Sequence, residues 1–149
     1  MKKFEYYFGI LAVISIILNL MDVPWSAILS TYVILCLSTM YFYLGFALFN
    51  DINLRNIFNK ESYKGLNSVR ILGAISTGIA VSFMLIGTLF QMHSWPYAYF
   101  TFSFGASLAG VILIVGLIKY SKTKSGYYLE IFKRILFYAL LGFIVYFIA

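Results

Sequence analysis

"VRILGAISTGIAVSFMLIGTLFQMHSWPYAYF", residues 69–100, tells us which solvent this chain is made for. From Val69 to Phe90 it carries a single charge, Arg70, next to its start. Wound as a helix, such a run reaches across a hydrocarbon layer of about 30 Å, which takes about 20 residues. A polar break, "QMHSWP", follows, and a second apolar run, Tyr97 to Ile118, begins at once. In lipid every backbone N–H and C=O must find a partner within the protein, so both runs are expected as helices. The stretch reads as a transmembrane helical hairpin with a tight turn.

Composition extends that reading to the whole chain. Of 149 residues, 62% are hydrophobic and 11% charged, where soluble domains average about 45–50% and about 25%. A domain this small has too much surface for its volume to hide that excess. An all-α integral membrane protein is expected, a bundle of four to five transmembrane helices in one domain. Besides the two runs above, Phe4 to Met21 and Ala27 to Phe49 are long enough to span. A fifth run, Ile135 to Ala149, is shorter and reaches across only where the bilayer thins or the terminus lies in the headgroup layer; it is expected as a fifth span, the alternative being a helix lying partly in the interface. The expected organisation is one hairpin over 1–50, a polar loop over 50–68, a second hairpin over 69–119, a polar loop over 119–134 and a short fifth helix over 135–149. Leu54, Ile57 and Phe58 stand at helical spacing in the first loop and predict a short amphipathic helix on the membrane surface. The opening "MKKFEYYFGILAVISIILNL" imitates a signal peptide but lacks the small-residue cleavage pattern, so it is read as a span.

The net charge of +6 reflects topology rather than a nucleic-acid partner. All Lys and Arg residues fall in the N-terminal tail, in the loop from 50 to 70 or in the loop from 119 to 134. With four or five spans these segments share one side. The positive-inside rule makes that side the cytoplasm of a bacterial inner membrane. The N terminus is then cytoplasmic and the C terminus periplasmic. The single Cys36 excludes an intrachain disulfide and any multi-cysteine metal site, and is read as a small packing residue.

The two outer turns resemble each other. "NLMDVPWSA", residues 19–27, set against "FQMHSWPYA", residues 90–98, places Met21 on Met92, Asp22 on His93 and Ala27 on Ala98. Two like hairpins in the same orientation are expected, related by an axis along the membrane normal. Asp22 and His93 would then be neighbours at the outer face. A carboxylate beside a histidine can move protons or sense pH. Two ligands do not make a metal site, so no metal and no cofactor are expected. Trp25, Trp95 and Tyr97 are expected at the outer boundary, where amphipathic rings favour the headgroup layer. Gly73, Gly78, Gly105 and Gly110 belong to sets of small residues four apart, a spacing that lets helix backbones approach closely in lipid. They predict packing within the bundle or against a partner. No ionisable side chain is expected deep in a span, which argues against an ion-driven machine.

Residues 85–98, "LIGTLFQMHSWPYA", resemble the "G-x-L-F-K-x-x-H-W-P-G-A" segment of the gliding-motility L protein of Bacteroidota, an inner-membrane subunit of the type 9 secretion motor. Gly87, Leu89, Phe90, Trp95, Pro96 and Ala98 fit the pattern. Gln91 and Tyr97 depart from it, and Ser94 separates His93 from Trp95. The resemblance covers about one hairpin, residues 70–118. It implies a related hairpin and a Bacteroidota source, without the family's motor activity, which depends on an embedded acidic residue and a long cytoplasmic tail. The expected function is a non-enzymatic inner-membrane subunit that packs with itself or another membrane protein. The alternatives are a small transporter or channel for a neutral or apolar solute, and a membrane enzyme using His93 and Asp22.

Overall fold

A computed structural model describes residues 1–148. It contains five long helices: α1 (Lys2–Leu20), α2 (Ser26–Phe49), α3 (Ser68–Met92), α4 (Ala98–Thr123) and α5 (Gly126–Ile148). All five are long and apolar enough to cross a membrane, and the chain is a multi-pass membrane protein. The α1–α2 and α3–α4 turns lie at one end of the bundle, the turn end. The other end carries the Lys and Arg residues and is called here the basic end.

Helix α3 is the centre, packed against α2, α4 and α5, while α1 packs mainly on α2. The core is built from Ile34, Leu37 and Tyr41 of α2, Val81, Met84, Leu85 and Leu89 of α3, and Ile135 and Val145 of α5. At mid-height the hydroxyls of Ser38 and Ser82 meet at 2.7 Å and join α2 to α3. Thr77 and Thr88 return their hydroxyl protons to the carbonyls of Gly73 and Met84. Such internal bonds let polar side chains sit in lipid without leaving unpaired groups.

Small residues decide how close these helices come, but only at some of the expected places. A Cβ on Gly45 would lie 2.9 Å from the Cα of Gly78, so α2 and α3 cross with backbones in contact. A Cβ on Gly105 would lie 2.7 Å from the Met84 nitrogen, and one on Gly87 2.5 Å from the Phe102 nitrogen, which fixes the α3–α4 contact. Gly45, Gly78, Gly87 and Gly105 thus all lie where a side chain would meet a neighbouring backbone. Gly73 has only the Tyr127 hydroxyl near it, at 3.7 Å, and Gly110 faces open space. Neither is a packing glycine of this bundle.

Helix α5 overturns the expected short fifth segment and the loop over 119–134. It has 23 residues, about 34 Å at 1.5 Å per residue; residue 149 lies outside the described residues. Helix α4 continues to Thr123, and the connection is Lys124 and Ser125 alone. Lys124 takes a left-handed conformation, φ 50°, that ends α4. The Ser125 hydroxyl accepts the Tyr127 N–H and starts α5. Four residues apart, Glu130 and Arg134 pair along the helix at 2.6 Å, a spacing that favours helix over loop. Over 50–67 the predicted amphipathic helix is replaced by two short 3-10 turns, Leu54–Asn56 and Lys60–Tyr63. Their Asn53 and Asn59 starts favour turns over helix. Cys36 is exposed on α2 instead of packed in the core.

Candidate functional site

At the turn end, the backbone places the expected pair differently. Both turns have one geometry: an N–H of the first residue after the helix bonds back to the carbonyl four earlier (Met21 to Ile17, His93 to Leu89). The next residue is left-handed (Asp22, φ 54°; Ser94, φ 52°), and so is the residue three further on (Trp25, φ 69°; Tyr97, φ 65°). Pro24 and Pro96 fall between them. Equivalent residues are therefore 72 apart, one more than the match of Met21 to Met92 suggests. In this register Asp22 corresponds to Ser94, and His93 to Met21.

His93 and Asp22 do not form a pair. His93 Nε2 lies 3.1 Å from the Thr31 hydroxyl near the start of α2. Thr31 spends its own proton on the Ala27 carbonyl, at 2.8 Å. Nε2 must then carry the imidazole proton and donate it to Thr31. The ring also lies against Trp95, with centroids 5.0 Å apart, and partial burial holds the imidazole below the usual histidine range. His93 is thus a neutral tether between α3 and α2. Asp22 is exposed in its turn. Trp25, Trp95 and Tyr97 all sit on these turns and are exposed.

The strongest polar constellation lies at the opposite end. Glu5 is the lone acid of α1 and only 9% exposed. Arg134 of α5 grips it with two bonds, Nε to Oε1 at 2.5 Å and Nη2 to Oε2 at 2.7 Å. A third Arg134 nitrogen holds Glu130 at 2.6 Å. The Tyr41 hydroxyl of α2 donates to the same Glu5 carboxylate, and lies 3.4 Å from the Tyr138 hydroxyl of α5. The guanidinium also stands over the Phe49 ring, 5.3 Å from its centroid. A two-pronged arginine–carboxylate contact is the geometry that offsets the cost of removing both charges from water.

Beside this cluster a cleft of about 640 Å³ separates α1 from α5. Lys2, Glu130 and Lys133 stand toward its basic end, and Gly9, Val13 and Phe137 line its apolar length. Chemically the cluster is closed. The Glu5 carboxylate already accepts two N–H bonds and one O–H bond, so it is occupied as a base. Arg134 is occupied by two carboxylates. The arrangement joins the first helix to the fifth rather than offering a reactive group to the cleft.

Reading residues 119–134 as a polar loop conceals this cluster, because the segment from Gly126 is helix. Two signals were legible: Glu130 and Arg134 at helical spacing, and a single carboxylate in α1 that lipid would not tolerate unpaired. No group of three or more metal-binding side chains occurs among the described residues. No family model, curated protein or solved structure matches the chain.

Proposed function

We propose that this protein is a non-enzymatic subunit of a bacterial inner membrane, binding a second membrane helix through α4. One observation carries the reading. Ser103, Ser107 and Gly110 follow one another at helical spacing on α4, and a Cβ on Gly110 would meet nothing within 4 Å. A small-residue surface with no neighbour is what close helix association in lipid requires. The closed state of the Glu5–Arg134 cluster supports a structural over a catalytic role, as does the separation of His93 from Asp22. By the positive-inside rule the basic end faces the cytoplasm, and the far end of α5 faces the periplasm. The likeness of residues 85–98 to the hairpin of the gliding-motility L protein supports a subunit role of the same general kind, and the similar turns support two related hairpins.

The test is mild extraction of the tagged protein from its native membrane, followed by intact-complex mass spectrometry, for the wild type and for Gly110→Leu. The expected result is a stoichiometric partner or second copy that Gly110→Leu loses while the monomer stays folded. A wild-type protein that is always monomeric, or a complex indifferent to Gly110→Leu, would overturn the proposal. The α1–α5 cleft favours a second reading, a conduit for a small neutral or apolar solute. Solute flux into proteoliposomes, compared between wild type and a cleft-filling Gly9→Leu variant, decides that reading.

A further inference from the structure

The geometry points to a binding site for an anionic phospholipid in a groove between α3, α4 and α5 at the basic end. This groove is separate from the α1–α5 cleft and from the α4 surface around Gly110. It holds about 220 Å³, and its charged lining residues are Arg70 and Lys119, with no carboxylate. Among the described residues neither cation enters a salt bridge. The Nε of Arg70 is buried and has no hydrogen-bond partner. Its guanidinium is held over the Tyr127 ring, 4.4 Å from the centroid. The Tyr127 hydroxyl in turn donates to the Arg70 carbonyl at 2.9 Å, so the start of α5 fixes the start of α3.

The heights of these residues suit a headgroup. Arg70 is the third residue of α3, Tyr127 the second of α5, and Lys119 stands four residues before the end of α4. At 1.5 Å per residue all lie within about 6 Å of their helix ends, the level where a phosphate meets the hydrocarbon. Leu72, Val111 and Val115 continue the groove toward mid-membrane as an apolar wall. All three are more than half exposed. Gly73 and Ser76 are small and leave room on its α3 side. Two unpaired cations over an apolar trough match a phosphate that carries an acyl chain. Basic pockets between membrane helices on the cytoplasmic side hold lipid headgroups in this way. Lys133 and Lys2, at the other cleft, share their surroundings with Glu130 and Glu5 and offer no such excess of positive charge.

The full chain, purified in mild detergent, is titrated with phosphatidylglycerol and, separately, with phosphatidylcholine, and bound lipid is counted by native mass spectrometry. One phosphatidylglycerol is expected to remain at a concentration where phosphatidylcholine is lost. Arg70→Gln with Lys119→Gln should weaken that binding at least tenfold, while Lys60→Gln and Lys124→Gln, at the same end but outside the groove, should not. Val115→Trp keeps both cations and fills the trough, so it tests the acyl chain even if the charge variants fold poorly. It too should remove the bound lipid. Competition by inorganic phosphate would make this a free-anion site and overturn the proposal. Equal retention of both lipids, or equal losses in groove and control variants, would reduce the binding to general attraction and overturn it as well.

Discussion

Replacing Arg134 with methionine tests the cluster that joins α1 to α5. The substitution removes both bonds to Glu5 and the bond to Glu130. It leaves the Glu5 carboxylate with Tyr41 as its one remaining donor. Both side chains are largely enclosed, 14% exposed for Arg134 and 11% for Glu5, so water replaces the lost partner poorly. Breaking a buried pair from one side costs about 3–5 kcal/mol. Domain stabilities are about 5–15 kcal/mol, so the loss is a large fraction of the total. Glu5→Gln should cost less, about 1–3 kcal/mol, because Arg134 keeps Glu130. Combining Glu5→Gln with Arg134→Met removes both charges, and the double variant should recover most of the loss in Arg134→Met. The assay is SDS-driven unfolding in bicelles, followed by far-UV circular dichroism. If Arg134→Met costs less than about 1 kcal/mol, or if the two single costs simply add, the cluster is not the tie described here.

Three further substitutions probe features at other heights in the bundle. Gly78→Ala should destabilise by about 1–3 kcal/mol through overpacking at the α2–α3 crossing, against a gain of up to about 1 kcal/mol from helix propensity; Gly110→Ala should keep that gain, and equal effects in the same assay would contradict the assigned packing. For His93, burial lowers the folded pKa, so the unfolded chain binds its proton more readily. The stabilisation is therefore complete above the unfolded value of about 6.5 and is lost as pH falls below it; His93→Gln should flatten stability measured between pH 5 and pH 8.

The spans were legible because lipid imposes a length and an apolar composition that no other environment demands. Four of the five helices follow directly from Phe4–Met21, Ala27–Phe49, Val69–Phe90 and Tyr97–Ile118. The fifth is a span as expected but begins nine residues earlier, at Gly126 instead of Ile135, because Lys133 and Arg134 look like loop residues when each charge is weighed alone. Arg134 pairs both with Glu130, one turn earlier on α5, and with Glu5, far away in sequence; local composition reports the first partner and not the second. The turn comparison failed by one residue for a related reason. Matching Met21 to Met92 maximised identity, whereas the backbone follows Pro24 and Pro96, whose fixed φ shapes the turn. Glycine spacing showed that close approach was possible but not which face would be used. Gly78 and Gly105 meet neighbouring backbones, and Gly73 and Gly110 do not. The Arg70–Lys119 groove was invisible for the same reason, since its cations come from different helices.

The Glu5–Arg134 contact also sets a schedule for biogenesis. Its partners are 129 residues apart, and ribosomes add roughly 5–20 residues per second, so the first helix waits roughly 6–26 s for its cation. During that interval α1 holds a carboxylate that lipid penalises, and it can lie comfortably only near the headgroups or against the insertion machinery. Emergence of α5 removes the penalty and lets α1 settle. The synthesis of α5 thus completes the seating of α1, and until α5 emerges the Glu5 carboxylate lacks its cation.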